Sequence, residues 1–178
     1  TGRPKVIVDH APGVLDPDAP SLGMQYGDTV VIPGPLYHAA PFGFGYLALA
    51  AGCHLVLTPK FDAEDTLRLI ERHRGAWLYV VPTMMHRIWA LGEEVRGKYD
   101  LSSLTAFVFG GAPAPVELIR RIVAAFPGVH PSQAWGMTET SAGIASNFAT
   151  DYVLRPESCG PATAIAELQI RDPGDGKT

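Results

Sequence analysis

The run Gln133-Ala134-Trp135-Gly136-Met137-Thr138-Glu139-Thr140 puts an aromatic ring, a glycine, two hydroxyls and a carboxylate within a few residues of one another. Each type suits one part of a nucleotide. A flat ring can lie against a base, a glycine lets the chain approach closely, hydroxyls meet phosphate oxygens, and a carboxylate is a hard ligand for Mg²⁺. Alone, the same run also describes a polar exit from a strand into a loop. Two further stretches raise the nucleotide reading: the glycine turn Phe109-Gly110-Gly111-Ala112-Pro113 and the opening Thr1-Gly2-Arg3-Pro4-Lys5. No Ser/His/Asp or Cys/His arrangement is visible. His10, His54, His73, His86 and His130 share no spacing suited to a metal and read as structural or surface residues.

Elements to position these stretches follow from pattern. Val6–Val8 reads as a strand entered from a turn, and residues 9–28, rich in Pro, Gly and Asp, as a loop. Thr29–Pro33 is a β-branched run and a buried strand. Leu36-Tyr37-His38 leads into a Gly- and Ala-rich segment ending at Ala51, a closely packed helix, and His54–Leu57 is the next strand. The clearest helix spans Ala63–His73, with Asp62 as its cap, Glu64 and Asp65 at its positive end and Gly75 past its last turn. Leu67 and Ile70 share its inner face, flanked by Leu69. The strand Trp77–Val81 stops at Pro82, and a helix over Met84–Leu91 carries Met and Trp residues that belong to the core. Leu104–Phe109 is an apolar strand before the glycine turn, and Val116–Phe126 an amphipathic helix. Such alternation predicts an α/β fold, a layered parallel or mixed sheet flanked by helices, with ligands gathering where strands end in loops.

Composition bounds the rest. At 47% hydrophobic and 18% charged residues, with a mean hydropathy of +0.10, the 178-residue chain can build a core. A net charge of −4 with scattered Lys and Arg argues against a nucleic-acid or anionic-membrane surface. Cys53 and Cys159 form neither a disulfide framework nor a ligand pair; they read as small buried residues in a reduced cytoplasm. The opening residues lack the apolar core of a secretory signal. The most apolar stretch, 39–57, is broken by Pro41, Gly43, Gly45, Gly52 and His54 and is unsuited to a membrane span.

Taken together, the motifs resemble those of acyl-adenylate-forming enzymes, the family of acyl-CoA synthetases, luciferases and peptide-synthetase adenylation domains. Thr1–Lys5 looks like the tail of the family's phosphate loop, and Pro35-Leu36-Tyr37-His38 like its next motif. Gly110-Gly111-Ala112-Pro113 resembles the adenine-side turn, preceded by a family-like Asp100-Leu101-Ser102-Ser103-Leu104. Trp135-Gly136-Met137-Thr138-Glu139 resembles the aromatic-Gly-x-Thr-Glu signature. The resemblance spans nearly the whole chain, with its motifs in order.

It implies part of the large N-terminal domain of an ATP-dependent acyl-CoA ligase, residues 1–178 forming a partial AMP-binding (adenylation) domain. The phosphate loop is cut at its start. The ribose-binding Asp, the hinge and the small C-terminal domain with its catalytic Lys are expected beyond Thr178, so the piece alone is expected to be inactive. The implied reaction joins a small-molecule carboxylic acid to ATP, giving acyl-AMP and pyrophosphate, and then passes the acyl group to coenzyme A. In that scheme Glu139 holds Mg²⁺ and Thr138 hydrogen-bonds the phosphate next to the adenosine. Trp135, with Gly136 and Met137, lies by the adenine, and Gly110, Gly111, Ala112 and Pro113 let backbone approach adenine and acyl group. Thr1, Gly2 and Lys5 belong to the triphosphate loop, and His38 shapes the acyl or thiol side. Plain structural roles compete: Trp135 as core filling, His38 as a satisfied buried histidine, Lys5 as a frayed terminus.

Small apolar residues after His38, at Gly110–Pro113 and at Ala142, Gly143 and Ile144 favour a bulky apolar acid (fatty, aromatic or ring-containing) over acetate. No acidic residue stands ready for an amino-acid ammonium, which disfavours a peptide-synthetase adenylation domain. The alternative from another class is a non-catalytic nucleotide- or acyl-binding module. A dinucleotide oxidoreductase fails, because no G-x-G-x-x-G follows the first strand.

Overall fold

The computed structural model describes residues 22–140, 143–163, 166–172 and 174. The strand expected at Val6–Val8 and most of the loop expected over 9–28 lie outside them. Its centre is a six-stranded sheet in the order β2-β1-β3-β4-β5-β6, formed by β1 (Thr29–Ile32), β2 (His54–Leu57), β3 (Trp77–Val80), β4 (Ala106–Gly110), β5 (His130–Gly136) and β6 (Gly143–Phe148). The first five are parallel; β6 runs antiparallel along β5.

Helices α1 (Ala39–Ala50), α2 (Ala63–His73), α3 (Pro82–Ala90), α4 (Gly92–Arg96), α5 (Val116–Ala125) and α6 (Ala149–Leu154) complete the described chain. From β1 the chain steps outward to β2, then returns across β1 to β3. Right-handed crossovers therefore place α1 on one face of the sheet and α2 on the other. The core divides the same way. Val31, Leu78, Val80, Phe107 and Phe109 pack with α2, α3, α5 and Tyr152 of α6. Val30, Ile32, Trp77, Tyr79 and Val108 pack with Ala48 of α1 and with Met24. Strands covered on both faces read as unbroken apolar runs, which is why β1 and β3 were legible.

Two anchors hold the second face. Trp77 is fully buried and its Nε1 donates to the carbonyl of Leu22 at 2.8 Å, tying the entering segment to the sheet. Phe44 of α1 packs on Trp77 and Tyr79, with ring centroids 5.4 and 5.0 Å apart. The outer side of α1 stays apolar: Phe42, Tyr46 and Leu49 follow one another at helical spacing, each more than half exposed.

Helix α2 has the expected bounds. Asp62 accepts from the Asp65 N–H at 2.9 Å, and Glu64 and Asp65 sit in the first turn. Gly75 sits just past the helix's last turn, as the sequence suggests. The left-handed residue is Arg74 (φ 53°), and Gly75 donates to the Ile70 carbonyl at 2.8 Å. Gly75 is required by space, since a Cβ there would lie 2.9 Å from Cγ2 of Val31. The stretch 100–104 braces this end. Asp100 accepts from Arg74 at 2.8 Å, its own N–H donates to Glu71 at 2.9 Å, and the Ser103 hydroxyl donates to the Gly75 carbonyl at 3.0 Å.

Smaller corrections concern bounds and burial. The third helix begins at Pro82, whose missing N–H is harmless in a first turn. Met85 is buried, with Met84 and Trp89 packed against the core. Cys53 is buried but Cys159 only half-buried; both thiols are free. Among the described residues no helix is long and apolar enough to cross a membrane.

Candidate active site

Because β1, β3, β4 and β5 run parallel, the loops leaving their C-terminal ends share one edge of the sheet. His38 follows β1, Gly111–Pro113 follow β4, and Met137–Glu139 follow β5. The sheet order brings the last two groups side by side. The strand β1 from which the His38 loop leaves is separated from β5 by β3 and β4, about 14 Å at the usual strand spacing. Thr1, Gly2 and Lys5 lie outside the described residues.

Gly110 is the last residue of β4 and faces Ala134 in register. A Cβ on Gly110 would stand 2.5 Å from the Ala134 carbonyl oxygen, so glycine here lets β4 and β5 close upon each other. Gly111 has φ +80°, a left-handed conformation that turns the chain out of the sheet. Ala112 and Pro113 are exposed beyond it. Glycine at 110 is thus required within the sheet by the approach of Ala134.

Trp135 is 42% exposed and is not core filling in this chain. Its neighbour Ala134 packs into the layer of Val30 and Val108, so Trp135, next along the strand, faces the other way. The register with β6 shifts between Trp135 and Gly136, where the chain leaves regular pairing. Irregularities of this kind re-aim side chains at sheet edges.

Beyond Gly136 the chain makes one 3₁₀ turn, Thr138–Thr140, with Met137, Thr138 and Glu139 exposed. The Thr140 N–H donates to the Met137 carbonyl at 3.1 Å. The Thr140 hydroxyl accepts from the Met137 N–H at 3.1 Å and donates to its carbonyl at 2.9 Å. The sequence offers the Thr140 hydroxyl only as a group for phosphate oxygens; here it binds backbone of its own turn. The signal was there: a hydroxyl three residues after a helix cap can reach back to it.

His38 is exposed rather than buried, and caps α1 through its backbone with no side-chain capping bond. Its ring lies against that of Tyr37, centroids 4.5 Å apart. A cleft of about 530 Å³ is lined by Phe61, which follows β2, and by Thr83, Met84, His86 and Arg87 of α3, and includes none of the site residues above. Among the described residues no group of three His, Cys, Asp or Glu side chains could cage a metal ion. Glu139, an exposed hard oxygen donor on a turn, fits the other way of holding Mg²⁺, in which a lone protein carboxylate is completed by substrate phosphates.

The sequence matches the AMP-binding enzyme family over residues 1–178. The chain belongs to that family. It is 38% identical over 144 residues to a mitochondrial medium-chain acyl-CoA ligase, ACSF2, of Bos taurus, covering 79% of this chain and 23% of that protein. It is 36% identical over 146 residues to 4-coumarate--CoA ligase-like 2 of Arabidopsis thaliana, covering 80% and 26%. Among solved structures of the family it is similar to the inhibitor-bound N-terminal domain of FACL13 from Mycobacterium tuberculosis. The TM-score is 0.76 at 26% identity, over 86% of this chain and 37% of that one. The chain thus spans about a quarter of the curated relatives' length.

Proposed function

We propose that residues 1–178 form part of the adenylation domain of an ATP-dependent acid–thiol ligase, which activates a carboxylic acid as acyl-AMP and transfers it to coenzyme A. The observation that carries this reading is the exposed Thr138-Glu139 turn at the end of β5, beside the glycine turn ending β4, in a chain of the AMP-binding family. In this reading Trp135 offers a face to the adenine, backbone at Gly111 and Ala112 borders it, and Thr138 donates to the phosphate next to the adenosine. Glu139 would hold Mg²⁺, which when bound neutralises phosphate charge. His38, three strands away on the same edge, would border the acyl or thiol side, and Thr1, Gly2 and Lys5 would belong to the triphosphate loop.

The carboxylate oxygen of the acid attacks the α-phosphorus and the bond to pyrophosphate breaks. The thiol sulfur then attacks the acyl carbon and AMP leaves. No protein nucleophile is required, so the chain's work is positioning and charge stabilisation. The names of the relatives favour a fatty or aromatic acid. Two free thiols suit a reducing compartment, and a cytoplasmic location and a part in fatty-acid metabolism complete the proposal.

ATP–pyrophosphate exchange on the full-length parent protein, across a panel of carboxylic acids with this 178-residue chain as control, tests the reading. Acid-dependent exchange in the parent alone is the expected result. Nucleotide binding without exchange for any acid replaces the enzyme with a binding module.

A further inference from the structure

The turn that presents Thr138 and Glu139 is held by hydrogen bonds, not by burial. Met137, Thr138 and Glu139 are all exposed, and a 3₁₀ turn of three residues has little cooperative strength of its own. The hydroxyl of Thr140 supplies two bonds, accepting from the Met137 N–H at 3.1 Å and donating to the Met137 carbonyl at 2.9 Å. Met137 is the cap of this turn and Thr140 its third residue. The hydroxyl therefore does what a longer Glu or Gln side chain does in a capping box. It can reach because the turn is tight.

We propose that Thr140 is a positioning residue of the nucleotide and metal site. It fixes the backbone from which Thr138 and Glu139 project and acts through them. The inference rests on the nucleotide reading above, since a turn holding an unused carboxylate would need no such restraint.

The test uses the full-length protein and ATP as the probe, with binding followed by calorimetry across a Mg²⁺ titration. Thr140→Val keeps the shape and removes both bonds; Thr140→Ser keeps the hydroxyl. Thr140→Val should weaken ATP binding in Mg²⁺ by about tenfold, the scale of one lost hydrogen bond to a charged site. It should weaken binding in excess EDTA by a smaller factor, because there only the Thr138 contact is at stake, and leave the melting temperature little changed, and Thr140→Ser should restore wild-type behaviour. Equal binding by wild type and a folded Thr140→Val overturns the proposal. Should Thr140→Val fail to fold, Thr140→Ala against Thr140→Ser decides: a weakened Ala variant with a normal Ser variant supports the role, and two normal variants overturn it. A wild-type protein that binds no ATP at any Mg²⁺ concentration overturns the nucleotide reading itself, and the positioning role with it.

Discussion

Gly110 and the carbonyl of Ala134 stand so close across β4 and β5 that an added Cβ would lie 2.5 Å from the oxygen. That oxygen is backbone in a paired strand and cannot swing aside as a flexible side chain would. Gly110→Ala should therefore cost about 1–3 kcal/mol by overpacking. Gly111→Ala meets nothing nearer than Val81 Cγ1 at 3.8 Å and should cost about 1–2 kcal/mol through its backbone conformation alone. Urea unfolding of both variants checks this, and a neutral Gly110→Ala would show that the two strands are not held at this separation.

Glu139 is exposed, so Glu139→Gln should change stability by no more than about 0.5 kcal/mol. Its effect should fall on chemistry. In the full-length protein, acid-dependent exchange should drop about a hundredfold, the scale for losing one charge-stabilising group. An unchanged rate at limiting Mg²⁺ removes the metal role.

Trp135→Ala separates stacking from packing. Removing a core tryptophan costs about 3–5 kcal/mol, whereas a residue 42% exposed should cost under about 1 kcal/mol in this chain. The KM for ATP should rise about tenfold, matching one lost base-to-ring contact. A large stability loss with an unchanged KM would return Trp135 to a packing role.

Two buried phenols set the alkaline limit. Burial pushes Tyr79 up to about 12, and burial together with nearby Glu157 pushes Tyr152 up to about 12. In the unfolded chain both ionise near 10. Above pH 10 the unfolded state releases protons that the folded state keeps. Their contribution is therefore complete below pH 10 and is lost as pH rises through 12. The Tyr152 hydroxyl is buried without a hydrogen-bond partner, so Tyr152→Phe should be neutral or stabilising by up to about 1 kcal/mol and should flatten the alkaline decline. Unfolding curves from pH 9 to 12 provide the measurement; a large loss from Tyr152→Phe at neutral pH would contradict an unpartnered hydroxyl.

The sequence disclosed what depends on neighbours along the chain. Asp62 capped the helix it promised to cap, and the β-branched run at residues 29–33 was a strand because both of its faces are covered. What it hid depends on neighbours across space. His130–Gly136 has no strand pattern and contains Pro131, which lacks a donor, yet it is extended because β4 and β6 flank it. Gly75 was the natural residue for a left-handed helix end, but Arg74 takes that conformation, while the missing side chain at Gly75 leaves room for Val31. The site divides along the same line. The signature residues were legible as types, while the separation of His38 from Glu139 follows from a strand order that no local pattern encodes.

That strand order also bears on how the chain is made. β1 is synthesised before either neighbour: Thr29 pairs with His54, and Val30 with Trp77. Val30, Val31 and Ile32 thus leave the ribosome as a naked apolar ribbon and must wait for β2, and longer for β3, before both edges are sealed. Slow, non-local pairing of this kind leaves apolar surface and strand edges exposed to aggregation while the chain folds. The passage from β1 to β3 is thus the stretch of synthesis over which this ribbon waits for both of its partners.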